Sequence, residues 1–265
     1  MPTKIMRPVI AIGDAHGEYH SFAAVLIHAG LMDAELTWTG KKTILVQTGD
    51  ILDRGSDALQ IDKLLDILQP MARKAGGDII RLIGNHELEI LRKNYFITSL
   101  PYFQIAPFRD KLIEGILSGA WQAAYSCRGF LITHAGVCDS LYQILLGELG
   151  GKKVSETKIA AHINKIVKDA VAEGSFKHAV FNASYLRGGP DRFGGIFWED
   201  LTSLFNHHSL CPLRQIVGHT VLPEITVSPD YKILAIDTGM KNVFSGKFEY
   251  LSIKSKKEID IVKVQ

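Results

Sequence analysis

Cysteine is scarce in this chain. There are three, an odd number, at Cys127, Cys138 and Cys211, and no two form a CxxC pair. That argues against a disulfide framework or a zinc knuckle, fits a reducing compartment, and leaves the three as small core residues. Long apolar runs are missing too: none approaches the roughly 20 residues that cross a bilayer. Met-Pro-Thr-Lys-Ile-Met-Arg-Pro leads into the first apolar segment with no hydrophobic leader region. A soluble, cytoplasmic protein with no membrane partner is therefore expected, with export by a signal-less route left open. Nor is there a long basic block, and at a net charge of +2 an electrostatic case for nucleic-acid binding is lacking. Internal repeats, low-complexity stretches and linkers are absent as well. The 265 residues read as one domain, 1–265, long enough to bury a substantial core.

What is present alternates between two periodicities. Val9–Ile12, Thr43–Val46 and Ile79–Ile83 are short apolar, β-rich runs, and helical patterns over Glu18–Leu31, Asp57–Lys74 and Glu87–Asn94 follow them in turn. Ser56 is placed to cap the second helix, and Pro70 is expected to kink or shorten its last turn. Pro101–Gly119 reads as a loop and then a helix, and Phe130–Ile132 as a fourth strand. Residues 139–178 turn helical, most clearly over Ser155–Glu173, where Ile159, Ile163, Ile166, Val167 and Ala170 form an apolar stripe before Gly174. Asn182–Gly195 is loop-like in composition. Helix Glu199–His207, strands Gln215–Val217, Ile225–Val227 and Ile233–Ile236, and a hairpin-like tail around Val243–Ile253 complete an α/β pattern.

Five of these apolar runs stop on a polar cluster: Gly-Asp14-Ala-His16-Gly, Gly-Asp50-Ile-Leu-Asp53-Arg54-Gly, Gly-Asn85-His86-Glu87, Thr-His134-Ala-Gly and Gly-His219-Thr. All fall at the carboxyl ends of strands, where open α/β sheets place ligands. Hard divalent ions favour carboxylate and amide oxygens, and imidazole suits Mn, Fe and Zn. Asp14 and His16 can reach one ion from a single turn. Asp50 is suited to bridge two ions, Asn85 supplies a neutral oxygen, and His134 and His219 supply ring nitrogens. Two ions would lower the pKa of a water between them and yield hydroxide able to attack phosphorus. Arg54 can fork onto phosphate oxygens. His86 can protonate the leaving oxygen, with Asp53 orienting it and keeping it charged.

Taken singly, each cluster has a plainer reading: a capping aspartate, a turn before a helix, a surface ion pair, a hydrogen-bonded core histidine. The coincidence of all five with strand ends is what favours a metal centre. His20, His28, His162, His178, His207 and His208 lack partner spacing and read as surface or packing residues. Tyr95, Phe96, Tyr102, Phe103 and Phe108 read as core, or in part as walls of a substrate pocket, and Lys254–Lys257 as a solvated tail.

The motifs GDxHG, GDxxDRG, GNHE, HAG and GH, in this order over Gly13 to Thr220, resemble the phosphoprotein phosphatase branch of the calcineurin-like metallophosphoesterases. His134-Ala-Gly-Val and Ile236-Asp237-Thr-Gly239 resemble its bacterial, Shewanella-like and diadenosine-tetraphosphatase relatives, while DRG and GNHE favour a protein phosphatase. The resemblance implies a four-layer α/β/β/α sandwich with two facing mixed sheets and a dinuclear centre, manganese being the expected metal and iron or zinc the alternatives. It implies one ion on Asp14, His16 and Asp50, the other on Asp50, Asn85, His134 and His219, phosphate on Arg54, and His86 as acid paired with Asp53.

The family's second phosphate-binding arginine is missing: Phe197-Trp198-Glu199-Asp200 stands where a Trp-x-Arg context is usual. Arg187 and Arg192 are the substitutes, and Arg187 is favoured because Gly188 and Gly189 allow close approach to a phosphate. Residues 139–178 match no common core element of the family and read as a helical cap or insertion, with simple packing as the alternative. The function expected is hydrolysis of phosphate monoesters in a phosphorylated protein or peptide, phosphoserine or phosphothreonine first and phosphotyrosine second. Hydrolysis of a diadenosine polyphosphate or another small phosphoester, and a metal-binding phospho-recognition scaffold, are the alternatives. Oligomeric state is left open.

Overall fold

The computed structural model describes residues 7–151 and 154–264, so the first six residues of the N-terminal segment read for a leader lie outside it. The first half builds β1 (Val9–Ile12), α1 (Tyr19–His28), β2 (Ile44–Gln47), α2 (Ala58–Lys74), β3 (Asp78–Leu82), α3 (Asn85–Leu91) and α4 (Tyr102–Ser118). Next come β4 (Trp121–Gln122), β5 (Ala124–Cys127), β6 (Phe130–Thr133), α5 (Asp139–Glu148), α6 (Glu156–Glu173) and α7 (Leu201–Asn206). The chain ends with β7 (Arg214–Val217), β8 (Thr226–Val227), β9 (Ile233–Ala235), β10 (Glu249–Ile253) and β11 (Ile259–Lys263).

Two mixed sheets result, ordered β11-β10-β1-β2-β3-β4 and β5-β6-β7-β9-β8. Their centres, β1-β2-β3-β4 and β6-β7-β9, are parallel, and the remaining pairs are antiparallel. Alternate residues of each strand face alternate layers. Val9, Ala11, Ile44, Val46, Ile80 and Leu82 meet Phe130, Ile132, Ile216 and Leu234 in one apolar layer between the sheets. The alternate set (Ile10, Ile12, Leu45, Ile79, Leu131, Ile233) packs outward under the helices. Strands buried on both faces read as unbroken apolar runs, which is why periodicity found them. The outcome is the expected sandwich, helices outside two facing mixed sheets.

Several local expectations are corrected. Pro70 does not shorten α2: the helix runs on to Lys74. A proline inside a helix costs about 3 kcal/mol, and here Leu64, Leu65, Leu68 and Ala72 are buried on the same face to offset it. Asp57, not Ser56, is the N-cap position of α2. Residues after Pro101 are helical at once, with Pro107 inside α4. Helix α3 starts at Asn85 rather than Glu87, so Asn85 and His86 ride on its first turn. The hairpin is β10–β11, paired from Glu249↔Lys263 to Ile253↔Ile259. Lys254–Lys257 forms its turn rather than a tail, with Lys254 3.2 Å from Glu258 and 3.0 Å from Asp260. Strands β4 and β5 were not anticipated. Their run, Trp121–Cys127, mixes small and polar residues and carries no clear period.

Residues 139–178 contain α5 and α6. Ser155 caps α6 through a bond from the Lys158 amide (3.4 Å), and Gly174 at φ +67° ends it. Ile159, Ile163, Val167 and Ala170 are buried in the outer core against β5 and β6. Asn164 ties the helix to the strand edge, accepting from the amides of Ala123 (2.8 Å) and Ala124 (3.0 Å) and donating to the Ala124 carbonyl (2.7 Å). Among the described residues no helix is long and apolar enough to cross a membrane.

The packing of α6 makes a test. Ile163 is fully buried, so Ile163→Ala should lower the unfolding free energy in urea by about 2–5 kcal/mol. An unchanged urea midpoint would mean that this helix is a cap standing outside the core.

Candidate metal centre

The carboxyl ends of β1, β2, β3, β6 and β7 bring the five clusters to one place. Asp50 stands at the centre. Its Oδ2 lies 3.4 Å from His134 Nε2, 3.6 Å from His16 Nε2 and 3.9 Å from His86 Nε2, while its Oδ1 accepts from the His86 amide (3.0 Å). Among the described residues, two potential cation-holding groups share it: His16, Asp50 and His86, and Asp50, His134 and His219.

The tautomers sharpen this picture. His16 Nδ1 donates to the Leu52 carbonyl (2.9 Å), so its Nε2 carries a lone pair, and that buried nitrogen has no hydrogen-bond partner. His134 Nδ1 donates to the Thr48 carbonyl (3.0 Å), turning Nε2 toward Asn85 Oδ1 (2.9 Å) and His219 Nδ1 (3.0 Å). His219 Nε2 is likewise buried and unpaired. Electron-rich atoms converge with too few protons between them, a donor set that suits a divalent cation. Outer hydrogen bonds of this kind are what orient metal-binding imidazoles.

The electrostatics agree. Burial lowers His16 to about 4, a neutral imidazole. Burial, and next the charge of His134, pushes His219 well below the ordinary histidine value. Burial opposes ionisation of Asp50, yet the charges of His134 and His86 outweigh it and hold this carboxyl well below its usual range. For His134 burial is again outweighed, by Asp50 and Asp14, and the group is raised to about 10. The field thus demands a positive charge at His134 Nε2, which either a proton or a cation can supply.

Asp14 completes this face. It is fully buried, its Oδ1 accepts from Thr48 Oγ1 (3.1 Å) and its Oδ2 from the His219 amide (2.9 Å). The Oδ2 stands 4.0 Å from His16 Nε2. Glycine is required at two of the approaches. A Cβ on Gly84 would strike Asp50 Oδ1, and one on Gly218 would strike Asp14 Oδ1. His16, Asp50, Asp53, Arg54 and His219 adopt positive φ (+43° to +69°), a conformation that costs non-glycine residues roughly 1–3 kcal/mol each. Leu36, Lys41, Lys93, Arg128 and Tyr231, outside the clusters, adopt positive φ as well.

His86 Nδ1 donates to Asp53 Oδ2 at 2.6 Å. Burial lowers His86, but the Asp50 charge and the Asp53 hydrogen bond outweigh it and the group is raised. Arg54 is exposed at the rim, and its charge contributes to the lowering of His16. Arg187 bonds Thr220 Oγ1, one residue beyond His219, and its Nε lies 3.2 Å from Asp200 Oδ2. Arg192 is elsewhere, its guanidinium 5.1 Å over the Phe193 ring. Trp198 packs edge-on to His219, with ring centroids 5.8 Å apart.

Sequence reading missed three supports. Glu87, fully buried, accepts from the amides of Gly84 (2.7 Å), Asp50 (2.8 Å), Ile51 (3.0 Å) and Leu52 (3.2 Å), clamping two of the loops together. Its place in Gly-Asn-His-Glu was the available signal. Thr98 and Ser99 bond Asp53, and nothing in their sequence context marks them. Asp237, noted only as part of a resemblance, is fully buried beside Asp14 with an unpaired Oδ2, and burial raises it to about 6. The histidines set aside have other partners: His162 and His178 both reach Glu148 (2.7 and 2.8 Å), and His208 is 3.0 Å from Asp230. Of the aromatics read as core, Phe108 is buried, but Phe96, Tyr102 and Phe103 are exposed.

Residues 7–223 match the calcineurin-like phosphoesterase family, and the chain belongs to it. It is similar to Shewanella-like protein phosphatase 2 of Arabidopsis thaliana, 38% identical over 110 residues, covering 40% of this chain and 28% of that protein. It is also similar to Shewanella-like protein phosphatase 1 of Plasmodium berghei, 40% identical over 79 residues, 30% of this chain and 22% of that one. The matches thus span about a quarter of the length of these curated relatives. Its fold resembles the cold-active protein-tyrosine phosphatase of a psychrophilic Shewanella species, with TM-score 0.67 and 20% identity over 98% of this chain and 81% of that one.

The Glu87 clamp can be tested without metal. Glu87→Ala strips four amides of their acceptor and should cost about 3 kcal/mol or more in urea unfolding of the metal-free protein. Glu87→Gln, which keeps one carbonyl oxygen, should cost clearly less. Equal stability of wild type and the alanine variant would show that the clamp contributes nothing.

Proposed function

We propose that this chain is a metal-dependent phosphatase that hydrolyses phosphate monoesters, with protein phosphoserine and phosphothreonine as its first substrates and phosphotyrosine as the alternative. One observation carries the reading: Asp50 Oδ2 is ringed by imidazole Nε2 atoms at 3.4–3.9 Å, and two buried nitrogens beside it, on His16 and His219, have no hydrogen-bond partner. Family membership supports phosphoester chemistry, and the likeness to protein phosphatases of plant and parasite supports a protein substrate.

The residues divide by role. Asp14, His16 and Asp50 would hold one divalent ion, and Asp50, Asn85, His134 and His219 the other, with manganese first and iron or zinc as alternatives. Such ions supply Lewis acidity, lowering the pKa of water and neutralising phosphoryl charge. Arg54 binds and orients the phosphate at the rim, and Arg187 takes the place of the family's second arginine. His86, with Nδ1 committed to Asp53, delivers a proton from Nε2 to the leaving oxygen. Phosphoryl transfer asks mainly for positioning and charge complementarity, and these groups provide both.

Hydrolysis of a phosphoserine peptide and of p-nitrophenyl phosphate, each dependent on added manganese, tests the reading. No turnover of either by metal-loaded protein would favour a scaffold, and turnover of diadenosine tetraphosphate alone a nucleotide hydrolase. Asp50→Asn should abolish hydrolysis and reduce bound metal below two ions per chain, read by elemental analysis; near-normal turnover would remove the bridging role. On the phosphoserine peptide His86→Asn should reduce kcat by roughly 10²–10⁴-fold with metal content unchanged. A parallel loss of metal would make His86 a ligand instead of an acid.

A further inference from the structure

Asp53 presents its two oxygens to different partners. Oδ2 accepts from His86 Nδ1 at 2.6 Å. Oδ1 accepts three bonds, from Thr98 Oγ1 (2.9 Å), the Ser99 amide (2.6 Å) and Ser99 Oγ (3.2 Å). A carboxylate with one partner swings freely about a broad torsion and exchanges its oxygens. Three donors on one oxygen end that freedom and leave the other aimed at the imidazole.

The donors are themselves held. Thr98 Oγ1 accepts from the Leu100 amide (3.2 Å), so the hydroxyl proton is left to point at Asp53. Leu100 is buried, anchoring the segment after Ser99. Before it, the Asn94 amide donates to the Glu89 carbonyl (2.9 Å), and Asn94 Nδ2 donates to Glu89 Oε2 (2.7 Å). Glu89 belongs to α3, whose first turn carries His86. The acid and the supports of its orienting carboxylate are therefore tied to one helix.

We propose that Thr98 and Ser99 are positioning residues, which lock the Asp53 carboxylate so that the His86 ring faces the departing oxygen of the substrate. This rests on the hydrolase reading above, in which His86 Nε2 gives its proton to the leaving oxygen as the phosphorus–oxygen bond breaks. The leaving group distinguishes such a role from a merely structural one. A serine oxygen must be protonated as it departs, whereas p-nitrophenolate leaves as a stable anion and gains little from an acid.

The test is Thr98→Val combined with Ser99→Ala, which removes both hydroxyls and keeps the backbone donor. On a phosphoserine peptide kcat should fall about tenfold with KM within about twofold of wild type, as expected when hydrogen bonds to a charged group are lost. On p-nitrophenyl phosphate kcat should stay within about twofold, and Thr98→Ser, which keeps a hydroxyl, should behave as wild type. Equal losses on the two substrates, or no loss on the peptide, would overturn the proposal. The metal-free protein gives a readout independent of turnover: the downfield proton resonance of His86 Nδ1, assigned by its disappearance in His86→Asn, should move upfield in the double variant. A resonance that does not move overturns the positioning role. Should the wild type hydrolyse neither substrate, the kinetic arm does not apply: a resonance that moves then upholds the hold of Thr98 and Ser99 on Asp53 and His86, and the hydrolase reading alone falls.

Discussion

Three imidazole nitrogens turned toward one buried carboxylate oxygen form an arrangement that cannot stand without compensation. Asp50 Oδ2 has His16, His86 and His134 within 4 Å, and beside it the Nε2 atoms of His16 and His219 are buried without a hydrogen-bond partner. Burial strips these groups of water, so their interactions are stronger and their unpaired members costlier than at a surface. Much of the surrounding structure holds this arrangement in place. Glu87 gathers four amides beneath it, Thr48 fixes both His134 and Asp14, and glycines at 84 and 218 leave room for the two carboxylates. A fold selected for stability alone would have neutralised or exposed such a cluster. Its two sets of ligand-type atoms, His16-Asp50-His86 and Asp50-His134-His219, share Asp50.

Two facing sheets make the convergence possible. The parallel strands β1, β2 and β3 and the parallel pair β6 and β7 end at a common edge, so loops distant in sequence meet without long excursions. The apolar layer between the sheets, built from alternate residues of every central strand, keeps the two halves in fixed register, and the helices cover the outside. Asp50 from the first sheet can then face His134 and His219 from the second. Close packing transmits that register to the ligand atoms.

At the rim the chain differs from the pattern its motifs led one to expect. Arg187, not Arg192, stands next to Thr220 and His219, held by a hydroxyl and near the Asp200 carboxylate. Arg187 reaches this place from a glycine-flanked loop, Gly188 and Gly189 following it, while Glu199 and Asp200 follow Trp198 where the Trp-x-Arg context is usual. Asp53 and His86 form a second ordered unit, joined to α3 through the segment 95–101. The exposed Phe96 and Tyr102 flank that unit on the surface.

The five polar clusters were legible because their chemistry is local: a short apolar run, a glycine, then Asp, His or Asn at fixed spacing. The strands were legible for a similar reason, being buried on both faces and hence continuously apolar. Helix α6 announced itself by its stripe, its serine cap and its terminal glycine. What the chain alone could not convey depends on distance through space. Whether Pro70 would shorten α2 turned on how much apolar surface its face buries. The short polar strands β4 and β5 exist only because neighbouring strands pair with them. That Arg187 lies beside Thr220 and Arg192 over Phe193 depends on where a loop folds back. The amide clamp of Glu87 and the hold of Thr98 and Ser99 on Asp53 are contacts between loops, and hydrogen-bond geometry across a fold leaves no periodic trace in the order of residues.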